Sequence, residues 1–247
     1  MSAPSSTRPR PRRASPHPAA ELCVGGFVGL STCDWPGELA ATVFCQGCPW
    51  RCSYCHNRHL LPAARDGAIG WASVVAFMRT RVGLLDGLVF SGGEPTLQRG
   101  LAAAAREIRA LGFRVGLHTA GPYPDRLSEI LPLVDWVGFD VKAPFDDYAR
   151  VTGVAGSGER ARESLRRLLA SGVAQEVRTT VHPDLLDAAS LTDLASRLAD
   201  LGARHYALQA CRETDATGRA IPRGGAILGR PLPASLRDRF QTLTIRA

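Results

Sequence analysis

Cys48, Cys52 and Cys55 lie in the run Cys48-Pro49-Trp50-Arg51-Cys52-Ser53-Tyr54-Cys55, with gaps of three and two residues. One loop can present thiolates at this spacing without straining the backbone, and thiolates so presented bind iron–sulfur clusters. Cys45 makes four cysteines within eleven residues. A structural zinc site usually draws two Cys-x2-Cys knuckles from segments about a dozen or more residues apart. The three-residue gap between Cys48 and Cys52 leaves little chain for two knuckles around one ion. A thioredoxin-like reading of Cys45-Gln46-Gly47-Cys48 needs a βαβ start at a helix N-terminus and leaves Cys52 and Cys55 without a role. The spacing favours a cluster, with zinc and thiol redox chemistry as the alternatives.

Other polar groups could serve the same chemistry. Gly92 and Gly93 would let backbone approach a ligand closely, or would simply turn a strand into a helix. Glu94 could accept a bond from an ammonium group, or cap the helix that starts at Pro95. Asp140 and Lys142 alternate on a strand end, either as a solvated ion pair or as cofactor contacts. Thr119 could hydrogen-bond the same cofactor, and His182 is a further candidate. His118 reads as a structural histidine, and His56, beside Cys55, as a residue supporting the cysteine loop. Cys23, Cys33 and Cys211 read as small buried hydrophobes.

The pattern predicts strands at Ala41–Phe44, Gly87–Phe90, Phe113–Leu117, Trp136–Phe139, Glu176–Val181 and His205–Gln209. Between them run amphipathic helical segments that stop at glycine. Leu97, Leu101, Ala104, Ala105, Ile108 and Leu111 share a face before Gly112. Leu165, Leu168 and Leu169 precede Gly172. Leu191, Leu194, Leu198 and Leu201 precede Gly202, with Ser190 as the expected N-cap. Strands alternating with helices imply an α/β fold of βαβ units with a parallel sheet. Periodicity alone leaves both an open doubly wound sheet and an incomplete barrel. In either, ligands bind at the C-terminal strand ends. Each unusual polar group follows a predicted strand, so all converge on one rim.

Composition narrows the class. The chain has 247 residues and a formal net charge of +7. Residues 1–20 carry Arg8, Arg10, Arg12 and Arg13 and no acid, so a Pro/Ser/Arg-rich tail holds most of that charge. This tail is expected to be disordered, followed by a single domain over residues 21–247. The remaining charge forms no basic stripe, which argues against nucleic acid as a partner. No apolar run approaches the ~18 residues of a membrane helix. A soluble, cytoplasmic protein in a reducing compartment is expected, because clustered cysteines without a secretory signal read as ligands rather than disulfides.

The Cys-x3-Cys-x-aromatic-Cys motif, with Tyr54 as the aromatic and His56-Asn57 after it, resembles the signature of the radical S-adenosylmethionine (SAM) superfamily. Ser91-Gly92-Gly93-Glu94-Pro95 resembles the Gly-Gly-Glu motif that touches the methionyl amino group of SAM. Gly25 to Gly37, with Phe44 to Cys52, is similar to activating proteins of anaerobic ribonucleoside-triphosphate reductase, in the glycyl-radical-activating branch. The resemblance spans roughly residues 22–212. It implies an incomplete (β/α)6 barrel with outer helices. It also implies a [4Fe–4S] cluster on Cys48, Cys52 and Cys55, with one iron left open for SAM. SAM contacts would come from Gly92, Gly93, Glu94, Thr119, Asp140, Lys142 and His182, of which Asp140 and Lys142 match an Asp-x-Lys pattern. The implied activity is reductive SAM cleavage, giving a 5′-deoxyadenosyl radical that takes hydrogen from a glycine of the reductase. The electron would come from a donor such as a flavodoxin or ferredoxin. The alternative is a radical SAM enzyme acting on another glycyl radical enzyme or on a small nucleotide or peptide.

Overall fold

The computed structural model describes residues 18–63, 69–214, 220–223, 228 and 233–246. Val24–Ser31 (β1) and Ala40–Cys45 (β2) pair antiparallel. From β2 onward each strand runs parallel to the one before it: Gly87–Gly92 (β3), Arg114–Thr119 (β4), Trp136–Asp140 (β5), Ala174–Val181 (β6) and His205–Thr214 (β7). Ala220–Arg223 (β8) pairs antiparallel with the C-terminal half of β7, and Thr242–Arg246 (β9) runs parallel beside its first half. The six strands β2 to β7 form the incomplete (β/α)6 barrel, with β1 at one edge and β8 and β9 at the other.

Helices Trp71–Arg79 (α1), Leu101–Ala110 (α2), Pro124–Ile130 (α3), Tyr148–Thr152 (α4), Ser157–Ser171 (α5), Ala188–Asp200 (α6) and Ala234–Arg237 (α7) lie among these strands in sequence. Three helices bury most of the stripe read from their spacing: Leu101, Ala104, Ala105 and Ile108 on α2, Leu165 and Leu168 on α5, and Leu191, Leu194 and Leu198 on α6. They pack with the outward strand residues Leu88, Phe90, Leu117, Phe139 and Val177 in one continuous core. Gly112, Gly172 and Gly202 take left-handed φ after their helices, as expected of stops.

Two expectations are corrected. Leu97 belongs to a short 3-10 turn, Pro95–Leu97, because α2 begins only at Leu101. The N-cap of α6 is Asp187, whose carboxylate accepts from the Ser190 N–H at 2.7 Å; Ser190 is already helical. Residues 1–17 lie outside the described residues, but Pro18–Glu21 forms a 3-10 turn with Ala19 wholly buried.

The barrel lumen is closed at its N-terminal end. Trp35, from the loop between β1 and β2, stacks on Trp136 with ring centroids 5.7 Å apart and packs with Ala40 and Val89. A Cβ at Gly116 would lie 2.9 Å from the Trp35 ring, so this strand position must stay bare for the plug to enter. The plug leaves the C-terminal rim as the open end. Among the described residues no helix is long and apolar enough to cross a membrane.

Candidate active site

The cysteine loop leaves β2 and is fastened at several points. Gly47 N–H donates to Leu60 O at 2.7 Å and Cys48 N–H to Leu61 O at 3.2 Å, so the far end of the loop returns to its start. The Gln46 amide donates to Pro62 O at 2.8 Å and His59 O at 3.1 Å. Further on, Arg51 N–H donates to Thr152 O and Ser53 N–H to Val151 O, docking the loop on the end of α4. Trp50 is buried and meets the Tyr148 ring edge-on at 5.6 Å. His56 Nε2 bonds Arg212 O, tying the loop to β7.

Within this loop Cys48, Cys52 and Cys55 line one cavity of ≈190 Å³, together with Gly92, Gly93, Glu94, Thr119, Asp140 and Lys142. Burial, followed by the charge of Glu94, pushes the Cys48 thiol up to about 12. Burial also raises Cys52, against the opposing pull of Lys142. A positive centre bound here would favour the loss of both protons. Cys45 is different: it is wholly buried in β2 and paired in register with Gly92. Among the described residues no three His, Cys, Asp or Glu are gathered as tightly as a single ion requires. A four-iron cluster takes one thiolate per iron and does not ask for that convergence.

The Gly-Gly-Glu segment is shaped first by the cysteine loop. Gly92 has φ +107, and a Cβ there would lie 2.5 Å from Cys45 N; at Gly93 it would lie 2.3 Å from Gly47 O. Gly93 and Glu94 donate their N–H groups to Cys45 O and Gly47 O, each at 2.9 Å. The glycines thus let two loops touch, and both line the cavity as well. Glu94 is 2% exposed and accepts from Thr96 N at 3.0 Å, Thr96 Oγ1 at 2.6 Å, Thr119 Oγ1 at 2.7 Å and Ala120 N at 3.1 Å. Glu94 thus caps the turn that starts at Pro95 and also lines the cavity. All four donors are neutral, and burial raises the carboxyl despite them. A cationic ligand would supply the charge that the donors lack. Thr119 donates to Glu94 and accepts from Gly121 N at 3.0 Å, so its hydroxyl orients Glu94.

Below the rim lies a charged layer. Asp140 Oδ1 accepts from Arg178 Nε at 2.9 Å, and Asp140 Oδ2 is 3.9 Å from Lys142 Nζ. Burial opposes ionisation of Asp140, but Arg178, then Lys142 and His118, bring it below the usual carboxylate range. Burial also works against the Lys142 charge, yet Tyr54, Cys52 and Asp140 hold its pKa well above the ordinary value. His118 Nε2 lies 2.6 Å from Asp34 O and its Nδ1 lies 3.1 Å from Ser91 Oγ. Protonation on Nε2 satisfies these two contacts, and it leaves Arg178 Nη1, 3.1 Å from the same nitrogen, without an acceptor there. Burial, then Arg178, lowers its pKa to about 4.

His182 does not line the cavity. It stacks behind Tyr54 with centroids 6.1 Å apart, and its Nδ1 accepts from Asp184 N at 3.2 Å. Cys211 is buried as expected, but Cys23 is half-buried and Cys33 is exposed, near Ser31 Oγ in the β1–β2 loop. That loop turns its tryptophan inward and its cysteine outward. Sequence reasoning missed Arg178 and Thr180, which line the cavity beside Gln209, the polar end of a predicted strand. The available signal was parity: Arg178 and Thr180 alternate on a strand whose partner ends in Asp140.

A parallel α/β barrel whose cysteine loop opens on the C-terminal rim is the architecture of a radical SAM domain, and residues 42–202 match the radical SAM superfamily. The chain belongs to that superfamily, and within it to the glycyl-radical enzyme activating enzymes. A protein of Methanocaldococcus jannaschii assigned as a glycyl-radical enzyme activating enzyme is 33% identical over 202 residues, covering 78% of this chain and 81% of that one. The pyruvate formate-lyase-activating enzyme of Clostridium pasteurianum is 30% identical over 171 residues, covering 66% and 70%. Streptococcus suis SuiB bound to S-adenosylmethionine shares the fold, with a TM-score of 0.63 at 11% identity over 81% of this chain; the match takes in about half of SuiB, 48%. The superfamily works with a [4Fe–4S] cluster and SAM.

Proposed function

We propose that this chain activates an anaerobic ribonucleoside-triphosphate reductase by generating a glycyl radical on it. The observation carrying the site is that three cysteines of one loop face the same cavity as Glu94, Asp140 and Lys142. Cys48, Cys52 and Cys55 would each hold one iron of a [4Fe–4S] cluster, and the fourth iron would stay open. Bound there, the cluster supplies the electron for reductive cleavage of SAM. Gly92 and Gly93 would shape the wall beside SAM, and the Glu94 carboxylate would accept from its ammonium group. Lys142 would face its carboxylate and Asp140 its ribose. Thr119 would keep Glu94 oriented, and His182 would support Tyr54 from behind rather than touch SAM. A flavodoxin or ferredoxin would deliver the electron.

The choice of target rests on the similarity of Gly25–Gly37 and Phe44–Cys52 to reductase activators. The test is anaerobic mixing of reconstituted protein, SAM, a one-electron reductant and such a reductase. Electron paramagnetic resonance should show a glycyl doublet on the reductase. A doublet on pyruvate formate-lyase but none on the reductase would reassign the target. SAM cleavage with neither would favour a small substrate.

A further inference from the structure

Arg178 is a cation only 9% exposed that lines the cavity. It comes from β6, directly opposite Asp140 in the β5–β6 register, and Val141 N–H donates to its carbonyl at 2.8 Å. Besides Nε on Asp140 Oδ1, its Nη2 reaches Gly138 O at 3.4 Å and its Nη1 lies 3.1 Å from His118 Nε2. A Cβ at Gly138 would lie 2.8 Å from the guanidinium carbon, so β5 leaves its place bare for this group. Arg178 therefore has one strong partner, and that partner reaches the cavity beside Lys142.

We infer that Arg178 is a positioning residue for SAM: its fixed guanidinium holds one oxygen of Asp140, so that the other oxygen and Lys142 are presented to the ligand. The inference rests on the proposed placing of SAM against Asp140 and Lys142. Two cations share one carboxylate, and they favour its ionised form although the side chain is only 32% exposed. The groups facing it are Arg178 from β6, His118 from β4, Cys52 and Tyr54 from the cysteine loop, and Lys142 from its own strand end. His118 is neutral near pH 7, so Arg178 is the cation that holds Asp140 from below. Without it, burial would favour the protonated acid as pH falls, and SAM would lose its partner.

The test is SAM affinity of the anaerobically reconstituted Arg178→Met protein from pH 8 to pH 6, beside wild type, Arg178→Lys and Asp140→Asn. The expected result for Arg178→Met is full iron content and binding weakened on the order of 10-fold at pH 8. The ratio to wild type should grow as pH falls. Arg178→Lys, which keeps a cation, should follow the wild-type profile. If Arg178→Met does not fold, Arg178→Gln carries the same expected acid-sensitive loss. Wild-type affinity at every pH, or a loss parallel to wild type, overturns the inference while Asp140→Asn still weakens binding. If Asp140→Asn itself binds SAM normally, the placing of SAM is what fails.

Discussion

Cys48, Cys52 and Cys55 share residue type with Cys45 but not surroundings. The first three face a cavity, whereas Cys45 is packed inside the core beside β3. Replacing any one of the first three by alanine should leave less than the roughly four irons per chain of a complete cluster. Those variants should also abolish SAM cleavage. Cys45→Ala should keep both, at a stability cost of a kcal/mol or so for the lost buried sulfur. Iron analysis and anaerobic product assay decide: full SAM cleavage by a Cys52→Ala protein would remove the loop from the chemistry. Lys142 offers a second residue-scale test. If it meets the SAM carboxylate through a charge-assisted hydrogen bond, Lys142→Met should weaken SAM binding roughly 10- to 150-fold with the cluster kept. Unchanged affinity with a slightly lower Tm would make it only the partner of Asp140.

Between elements, the contact that matters most is the one between the loop after β2 and the turn after β3. Gly93 carries no room for even one methyl: its Cβ would lie 2.3 Å from Gly47 O and 3.1 Å from Leu60 O. Gly93→Ala should push the cysteine loop off its seat while the barrel, whose core lies elsewhere, stays folded. Circular dichroism should remain native and reconstituted iron should fall well below wild type; wild-type iron would show that the loop has slack. The six barrel strands were legible because β-branched runs alternate with amphipathic helices, and that alternation survives in any α/β fold. β1 was not, since Val24–Ser31 includes three glycines and is ordered by pairing with β2 rather than by propensity. β9 was not read either; Thr242–Arg246 is a short strand added at the edge beside the first half of β7. Arg178 was hidden for a related reason: one arginine in an alternating strand reads as a solvent-facing position until the lumen is known. Asp187 was overlooked in favour of Ser190 because both are good caps three residues apart.

Across the whole molecule the lumen grades from apolar to charged. Trp35 and Trp136 close one end, His118 and Arg178 occupy the middle, and Asp140, Lys142 and the cysteine loop face the open rim. Such a column gives the site a dry floor, and it also ties global stability to the protonation of His118. The ring has an ordinary pKa of 6.5 and about 4 when folded, so the unfolded chain takes up its proton first as pH falls. Stability from the neutral ring is complete above pH 6.5 and is lost progressively down to about pH 4. At pH 5.5, one unit below the unfolded value, the loss should reach about 1.4 kcal/mol, less where cavity water reaches the ring. Urea unfolding at pH 7.5 and pH 5.5, on wild type and His118→Gln, measures it. Glutamine cannot take up a proton in this range, and its amide can still bond Asp34 O or Ser91. Wild type should lose more stability between the two pH values than the variant does, by about that amount, whatever constant offset the substitution brings. Equal losses in both proteins would mean that His118 is as easily protonated in the fold as in the unfolded chain, and that the floor of the site is wet.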